Sequence, residues 1–134
     1  MPARYADASA LLRVLFNEPG TRCPIESGDA ATSRIAEVET LRTVERARLR
    51  GYVTDAQAAR KLKELSEIFA RLHLMPVSDD VIALARQPFG VNVRALDAIH
   101  VASAQMVSGA LEFWTHDARQ ATAALARGLS VRGA

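Results

Sequence analysis

The 134-residue sequence predicts a three-layer α/β domain: a short, mainly parallel sheet flanked by helices, with an αα-hairpin on one side. Three observations predict it. Strand-like runs alternate with helical stretches along the chain. Two amphipathic stretches in the middle are separated only by a short turn containing Gly51, the form of an αα-hairpin. Residues 94–107, RALDAIHVASAQMV, are apolar almost all the way round, as a helix in a protein interior is. The length suits one compact domain over 1–134, without repeats, low-complexity tracts or linkers.

Each element has its own signal. Residues 3–6 form a very short strand candidate, and DASALLRVLF is an amphipathic helix stopped by NEPG. A loop rich in small and charged residues runs to Ala30. AATS (30–33) is the second strand candidate, with Ser33 as an N-cap for the next helix. From Arg34 to Arg50, Ile35, Val38, Leu41 and Val44 recur at near-helical spacing, and Gly51 ends the pattern. TDAQ (54–57) has the form of a capping box and opens a helix striped by Leu62, Leu65, Phe69 and Leu72. LHLMPV is a third strand, SDDVIALARQ a short capped helix closed by PFG, and the apolar helix comes next. LEFWT is the clearest strand; DARQATAALARG is a helix ending in Gly, and LSVR a last strand.

Composition narrows the class. No apolar run approaches the roughly 20 residues that span a bilayer, and the N-terminus lacks the basic, apolar and cleavage regions of a secretory signal. A single cysteine, Cys23, makes neither an internal disulfide nor a zinc cluster. A cytoplasmic protein with no membrane partner is the expectation. Net charge is only +2, yet fifteen of the seventeen cations are Arg, whose planar donor fork suits phosphates and carboxylates.

Four acids carry the chemistry. In an open parallel sheet, ligands bind beyond the carboxyl ends of the strands. Asp7 directly follows the first strand and Asp117 closely follows LEFWT, while Glu39 and Asp97 lie near the starts of helices that begin at the same edge. Each has a structural alternative. Asp7 and Asp117 suit N-caps, and DARQ is itself a capping-box pattern. Glu39 has Arg42 within reach on its own helix, and Asp97 suits the positive end of its helix. Together they make a stronger case, because two carboxylates about 5 Å apart repel by roughly 3 kcal/mol at an effective dielectric near 20. Four in one pocket need protons or a cation. Hard oxygen ligands with room for water suit Mg²⁺ or Mn²⁺, ions that orient water for attack on a phosphodiester.

YADASALLRVLFNEPG, SRIAEVETLR, LDAIHVASA and FWTHD followed by AALARGLSV resemble the PIN-domain ribonucleases, specifically the VapC-type toxins of type II toxin–antitoxin pairs. The resemblance spans nearly the whole chain, in order. It implies that Asp7, Glu39, Asp97 and Asp117 are the catalytic, metal-binding acids, with Glu39 chosen over Glu37 because Arg42 follows it at the family's spacing. It also implies an endoribonuclease leaving 5′-phosphate and 3′-hydroxyl ends, a homodimer, and inhibition by a cognate antitoxin protein.

Around these acids, Ser9 and Thr115 are candidates to orient Asp7, Asp117 or a substrate phosphate. His100, at i+3 from Asp97, is read as a hydrogen-bonded core histidine or a donor to a carboxylate. Arg42, Arg46 and Arg50 recur every four residues and form a row for RNA phosphates, or else a solvated face paired with Glu45, Glu64 and Glu67. Trp114 is read as packing. The Leu62/Leu65/Phe69/Leu72 stripe is either core or an antitoxin or dimer surface. Two other classes compete: a PIN-like module that binds RNA or protein without catalysis, and a phospho-accepting receiver module. The second wants a lysine at a late strand end, whereas Lys61 and Lys63 fall mid-helix.

Overall fold

A computed structural model of the chain describes residues 2–107 and 111–134. Strands β1 (Arg4–Ala6), β2 (Ala30–Ser33), β3 (His73–Met75), β4 (Glu112–Trp114) and β5 (Ser130–Arg132) form one sheet in the order β3-β2-β1-β4-β5, with every pairing parallel. Helices α1 (Ala8–Leu15), α2 (Ile35–Leu49), α3 (Asp55–Ala70), α4 (Asp79–Ala85), α5 (Ala95–Gln105) and α6 (Ala118–Ala126) connect them. The elements expected from the sequence are all present. The strands are shorter at their edges: β3 stops at Met75 because Pro76 cannot donate to the ladder.

Because alternate strand residues point to opposite faces, the sheet divides the apolar side chains into two cores. Ala6, Ala30 and Trp114 face one side and pack with Leu11, Leu15, Val44, Leu65, Ile68 and Phe69 of α1, α2 and α3. Tyr5, Ala31 and Phe113 face the other, against Val101 and Ala104 of α5 and Ala123 and Ala124 of α6. Tyr5 and Phe113 are paired in register and their rings stack at 5.3 Å. Three layers result.

Local signals explain the helix starts. Asp7, Thr54, Ser78 and Asp117 are N-caps whose side chains accept backbone N–H groups. Ser33 lies one residue before the cap of α2, which is Arg34, and its hydroxyl accepts the Ile35 backbone N–H at 3.2 Å. Thr54 and Gln57 close the capping box in both directions, at 3.1 and 2.8 Å. At DARQ the box stays open. Asp117 accepts from the backbone of Arg119 and Gln120, but the Gln120 side chain turns instead to the carbonyl of Asp97, 3.3 Å away. Gly51, at φ 75°, allows the tight turn between α2 and α3.

Two expectations about packing need correction. The buried stripe of α2 is Ala36, Thr40 and Val44, spaced by four, while Val38 and Leu41 are 62% and 40% exposed. Small residues face the core here because α2 lies close against α1 and α3, and Thr40 satisfies its hydroxyl on the Ala36 carbonyl at 2.6 Å. The 17–29 loop also packs inward, with Cys23 and Ile25 buried in the first core. In α5 the interior positions are buried as expected, but Leu96 is 45% exposed and Met106, which caps the helix, is 42% exposed.

Candidate active site

The carboxyl ends of β1, β2 and β4 lie on one edge because all strands run the same way. Asp7 follows β1 and is buried there. One of its oxygens accepts from the Ser9 hydroxyl at 2.6 Å and the Ala10 backbone N–H at 2.9 Å; the other accepts from the Thr115 hydroxyl at 2.5 Å. Thr115, two residues before Asp117, therefore ties the ends of β1 and β4 together. Ser9 reinforces the tie by accepting the His116 backbone N–H at 2.8 Å. Both residues were expected near the acids, and both touch Asp7.

Glu39, one turn into α2, reaches across to α5. Its Oε1 lies 2.6 Å from His100 Nε2, and His100 Nδ1 lies 2.7 Å from the Tyr5 hydroxyl. Tyr5 and His100 are buried, so this chain fixes the carboxylate from inside the protein. Glu37, the neighbouring acid, instead pairs with Arg34, and the two residues diverge as positions two apart on a helix must. Asp97 sits in the first turn of α5. Its backbone carbonyl accepts from buried Gln120, and neither side-chain oxygen has a partner among the described residues.

Electrostatics link the four. Burial raises the Asp97 carboxyl above its ordinary range, and the charges of Asp117, Asp7 and Glu39 push it further, with His100 opposing. Asp7 is raised by burial, against the pull of His100 and the hydrogen bonds from Ser9, Thr115 and Ala10. Three acids thus act on Asp97, and no ion pair with Arg or Lys involves Asp7, Glu39, Asp97 or Asp117 among the described residues.

The donor set fits a hard divalent cation. It is all oxygen, mutually repelling and open to solvent on the Asp97 and Asp117 side. Among the described residues no group of three or more His, Cys, Asp or Glu side chains stands arranged to hold a metal ion, and both oxygens of Asp7 already accept hydroxyl or backbone N–H donors. An open set suits an ion that keeps several waters.

Sequence reasoning missed Tyr5 and Gln120 as supports of the site. Their partners lie 95 and 23 residues away, and no local spacing announces either contact. His100 combines its two expected roles, as core residue and carboxylate donor. Arg42, Arg46 and Arg50 do line an exposed face of α2. The alternative, a row paired with Glu45, Glu64 and Glu67, finds no such ion pair among the described residues: Glu45 pairs with Arg48 at 2.6 Å and Glu64 with Lys61 at 3.1 Å. Lys61 and Lys63 lie on α3 and Lys61 reaches the Leu15 carbonyl, so the lysine a receiver module wants at a late strand end is missing. Trp114 is packing, its indole N–H held by Glu112.

An all-parallel sheet with acids gathered at its carboxyl edge defines a class, and the match to known families agrees. The family model of the PIN domain matches residues 4–125, and the chain belongs to that family, on its VapC-type side. A curated relative, Ribonuclease VapC47 of Mycobacterium tuberculosis (strain CDC 1551 / Oshkosh), is 36% identical over 124 residues, covering 86% of this chain and 85% of the relative. The same fold appears in the crystal structure of PAE2754 from Pyrobaculum aerophilum, with TM-score 0.64, 17% identity and 97% and 89% of the two chains covered. It appears again in the crystal structure of a member of the VapBC family of toxin–antitoxin systems, VapBC-5 of Mycobacterium tuberculosis, with TM-score 0.55, 24% identity and coverage of 98% and 97%. No helix among the described residues is long and apolar enough to cross a membrane.

Proposed function

We propose that the chain, acting as one domain over 1–134, is a metal-dependent endoribonuclease that cuts phosphodiester bonds in single-stranded RNA, as the toxin of a toxin–antitoxin pair. The observation that carries the reading is the position of Asp7, Glu39, Asp97 and Asp117 at or near the starts of α1, α2, α5 and α6, with none of the four ion-paired to Arg or Lys among the described residues. These four would hold Mg²⁺ or Mn²⁺. When bound, the ion supplies positive charge that orients a water and offsets charge developing on the leaving oxygen. The protein's part is positioning. Ser9 and Thr115 fix both Asp7 oxygens, Tyr5 and His100 fix Glu39, and Gln120 ties the start of α5 to α6. Holding ligands this firmly keeps them from collapsing or turning outward. Arg42 and Arg46, exposed on α2, would hold RNA phosphates beyond the acids.

The partner surface of this reading keeps part of the stripe. Leu65, Phe69 and Leu72 are buried in the core, while Leu62 and Leu41 rim an open groove of about 230 Å³ between α2 and α3 that Leu65 and Phe69 also line. Val38 and Leu41 of α2 and Leu62 of α3 are exposed, and an apolar segment of an antitoxin would cover such a groove. Assembly as a homodimer and a place in the cytoplasm belong to the same reading.

The test is cleavage of a pool of single-stranded RNAs by purified protein. Cleavage should need Mn²⁺ or Mg²⁺, stop with EDTA and return with excess metal. Absence of cleavage under every metal condition, with RNA still bound, would make the chain a binding module.

A further inference from the structure

We propose that Asn92, Arg94 and Arg119 form a phosphate subsite beside Asp97, holding the RNA backbone next to the bond that is cut. The inference rests on the ribonuclease reading and adds a part of the site outside the four acids and outside the α2 arginine row.

The cleft has a volume of about 290 Å³ and is lined by Asn92, Arg94, Asp97 and Arg119. One wall is therefore a carboxylate of the acid cluster, and the others carry two guanidinium groups and an amide. Two cations beside an acid would ordinarily pair with it. Here neither does: among the described residues, Arg94 and Arg119 make no side-chain hydrogen bond or ion pair. Arginines at two other polar clefts are already engaged. Arg127 donates to Gln105 and to the carbonyls of Leu84 and Gln87, Arg132 pairs with Glu112, and Arg13 donates to the Pro19 carbonyl. Of these three clefts, the one beside Asp97 brings together two guanidinium groups that have no partner among the described residues.

Both arginines lie at helix starts. Arg94 is the N-cap of α5 and Arg119 is in the first turn of α6. Arg94 supplies no side-chain acceptor to the opening N–H groups of α5, so that terminus keeps its partial positive charge. A planar fork matches two phosphate oxygens at once, and the Asn92 amide adds a neutral donor. An anion fits this chemistry; a carboxylate-rich cation site does not. The location then selects which anion. A strand whose reacting phosphate lies over the acids must pass one side of Asp97, and this cleft meets the phosphate on that side.

The test uses a fluorescein-labelled 12-nucleotide single-stranded RNA in EDTA, so that binding is read without cleavage. Arg94→Ala with Arg119→Ala should weaken binding about tenfold. It should also lower the slope of log K against log salt by about 0.7, the value for one phosphate contact on a single strand. Arg94→Lys with Arg119→Lys should keep the slope and lose affinity, since a point charge replaces the fork. In a second arm, a neutral methylphosphonate next to the cut should weaken the unaltered protein and leave the Ala double variant indifferent. Equal affinity and slope in the Ala double variant, with the unaltered protein still binding and cleaving, would overturn the subsite and leave the nuclease reading standing. Failure of the unaltered protein to bind or cleave RNA would overturn both. Both residues are exposed, so an unchanged Tm verifies that the variants are folded.

Discussion

Replacing Asp97 by Asn separates a ligand from a helix-terminus ornament, because the two roles give opposite signs. If Asp97 only favours the positive end of α5, losing its charge should destabilise the protein by about 0.3–1 kcal/mol. If it stands among Asp117, Asp7 and Glu39, losing its charge removes repulsion. A unit-charge pair about 6 Å apart interacts by roughly 0.7 kcal/mol in water and about 2.8 kcal/mol at an effective dielectric of 20. Asp97 is half-buried, so solvent screening places the relief between these limits, about 1–2 kcal/mol. After subtracting the helix term, the metal-free variant should gain about 1 kcal/mol, or roughly 3–5 °C in Tm for a domain this size. With Mn²⁺ the order should reverse. Bound ion should stabilise the unaltered protein, and the variant, short of an anionic ligand, should bind it at least about tenfold more weakly and cleave RNA at least about a hundredfold more slowly. Thermal melts in EDTA and across a Mn²⁺ series read both effects. A metal-free variant that melts lower, together with an unchanged Mn²⁺ response, would refute the shared-cation argument.

Other outcomes rest on the same geometry. Asp7 and Asp97 both have raised carboxyl pKa values in the fold. Without metal their contribution to stability is full below the unfolded value of 3.8 and is lost as pH rises through the raised values. Bound metal needs the ionised forms, so the Tm increment from Mn²⁺ should grow with pH; an increment that shrinks with pH would contradict this. Arg127→Ala removes three hydrogen bonds and a guanidinium stacked 3.6 Å from the Phe89 ring centre. It should cost about 2–4 kcal/mol in urea unfolding; a loss under about 0.5 kcal/mol would show that water replaces those contacts. Burial pushes the Cys23 thiol up to about 12, so native protein should resist a thiol reagent at pH 8 while denatured protein reacts fully. Fast labelling of the native chain would place the 17–29 loop outside the core.

The fold was legible where a local rule decides it. Strand and helix alternation gave the layers, Gly51 and the Thr54–Gln57 box gave the hairpin, and the parallel sheet put the acids on one edge. Spacing could not show which partner each polar group finds. Ile35, Val38, Leu41 and Val44 fit a helical stripe, yet close approach of neighbouring helices favours the smaller Ala36 and Thr40 inside. By pattern Asp7 and Asp117 suit either caps or site residues, and in the fold both are N-caps. Tyr5, His100 and Glu39 meet over separations of 95 and 61 residues, and Gln120 leaves its expected capping role to hold Asp97. Such contacts depend on the packed layers and exist only once these form.

The central claim is that Asp7, Glu39, Asp97 and Asp117 share one divalent ion. A Mn²⁺-soaked crystal measured at the manganese absorption edge tests it most directly. The account predicts an anomalous peak at the carboxyl edge of the sheet, within about 2.0–2.6 Å of oxygens from at least two of the four acids. A crystal in saturating Mn²⁺ with no peak there, or with the peak held by other residues, would contradict it.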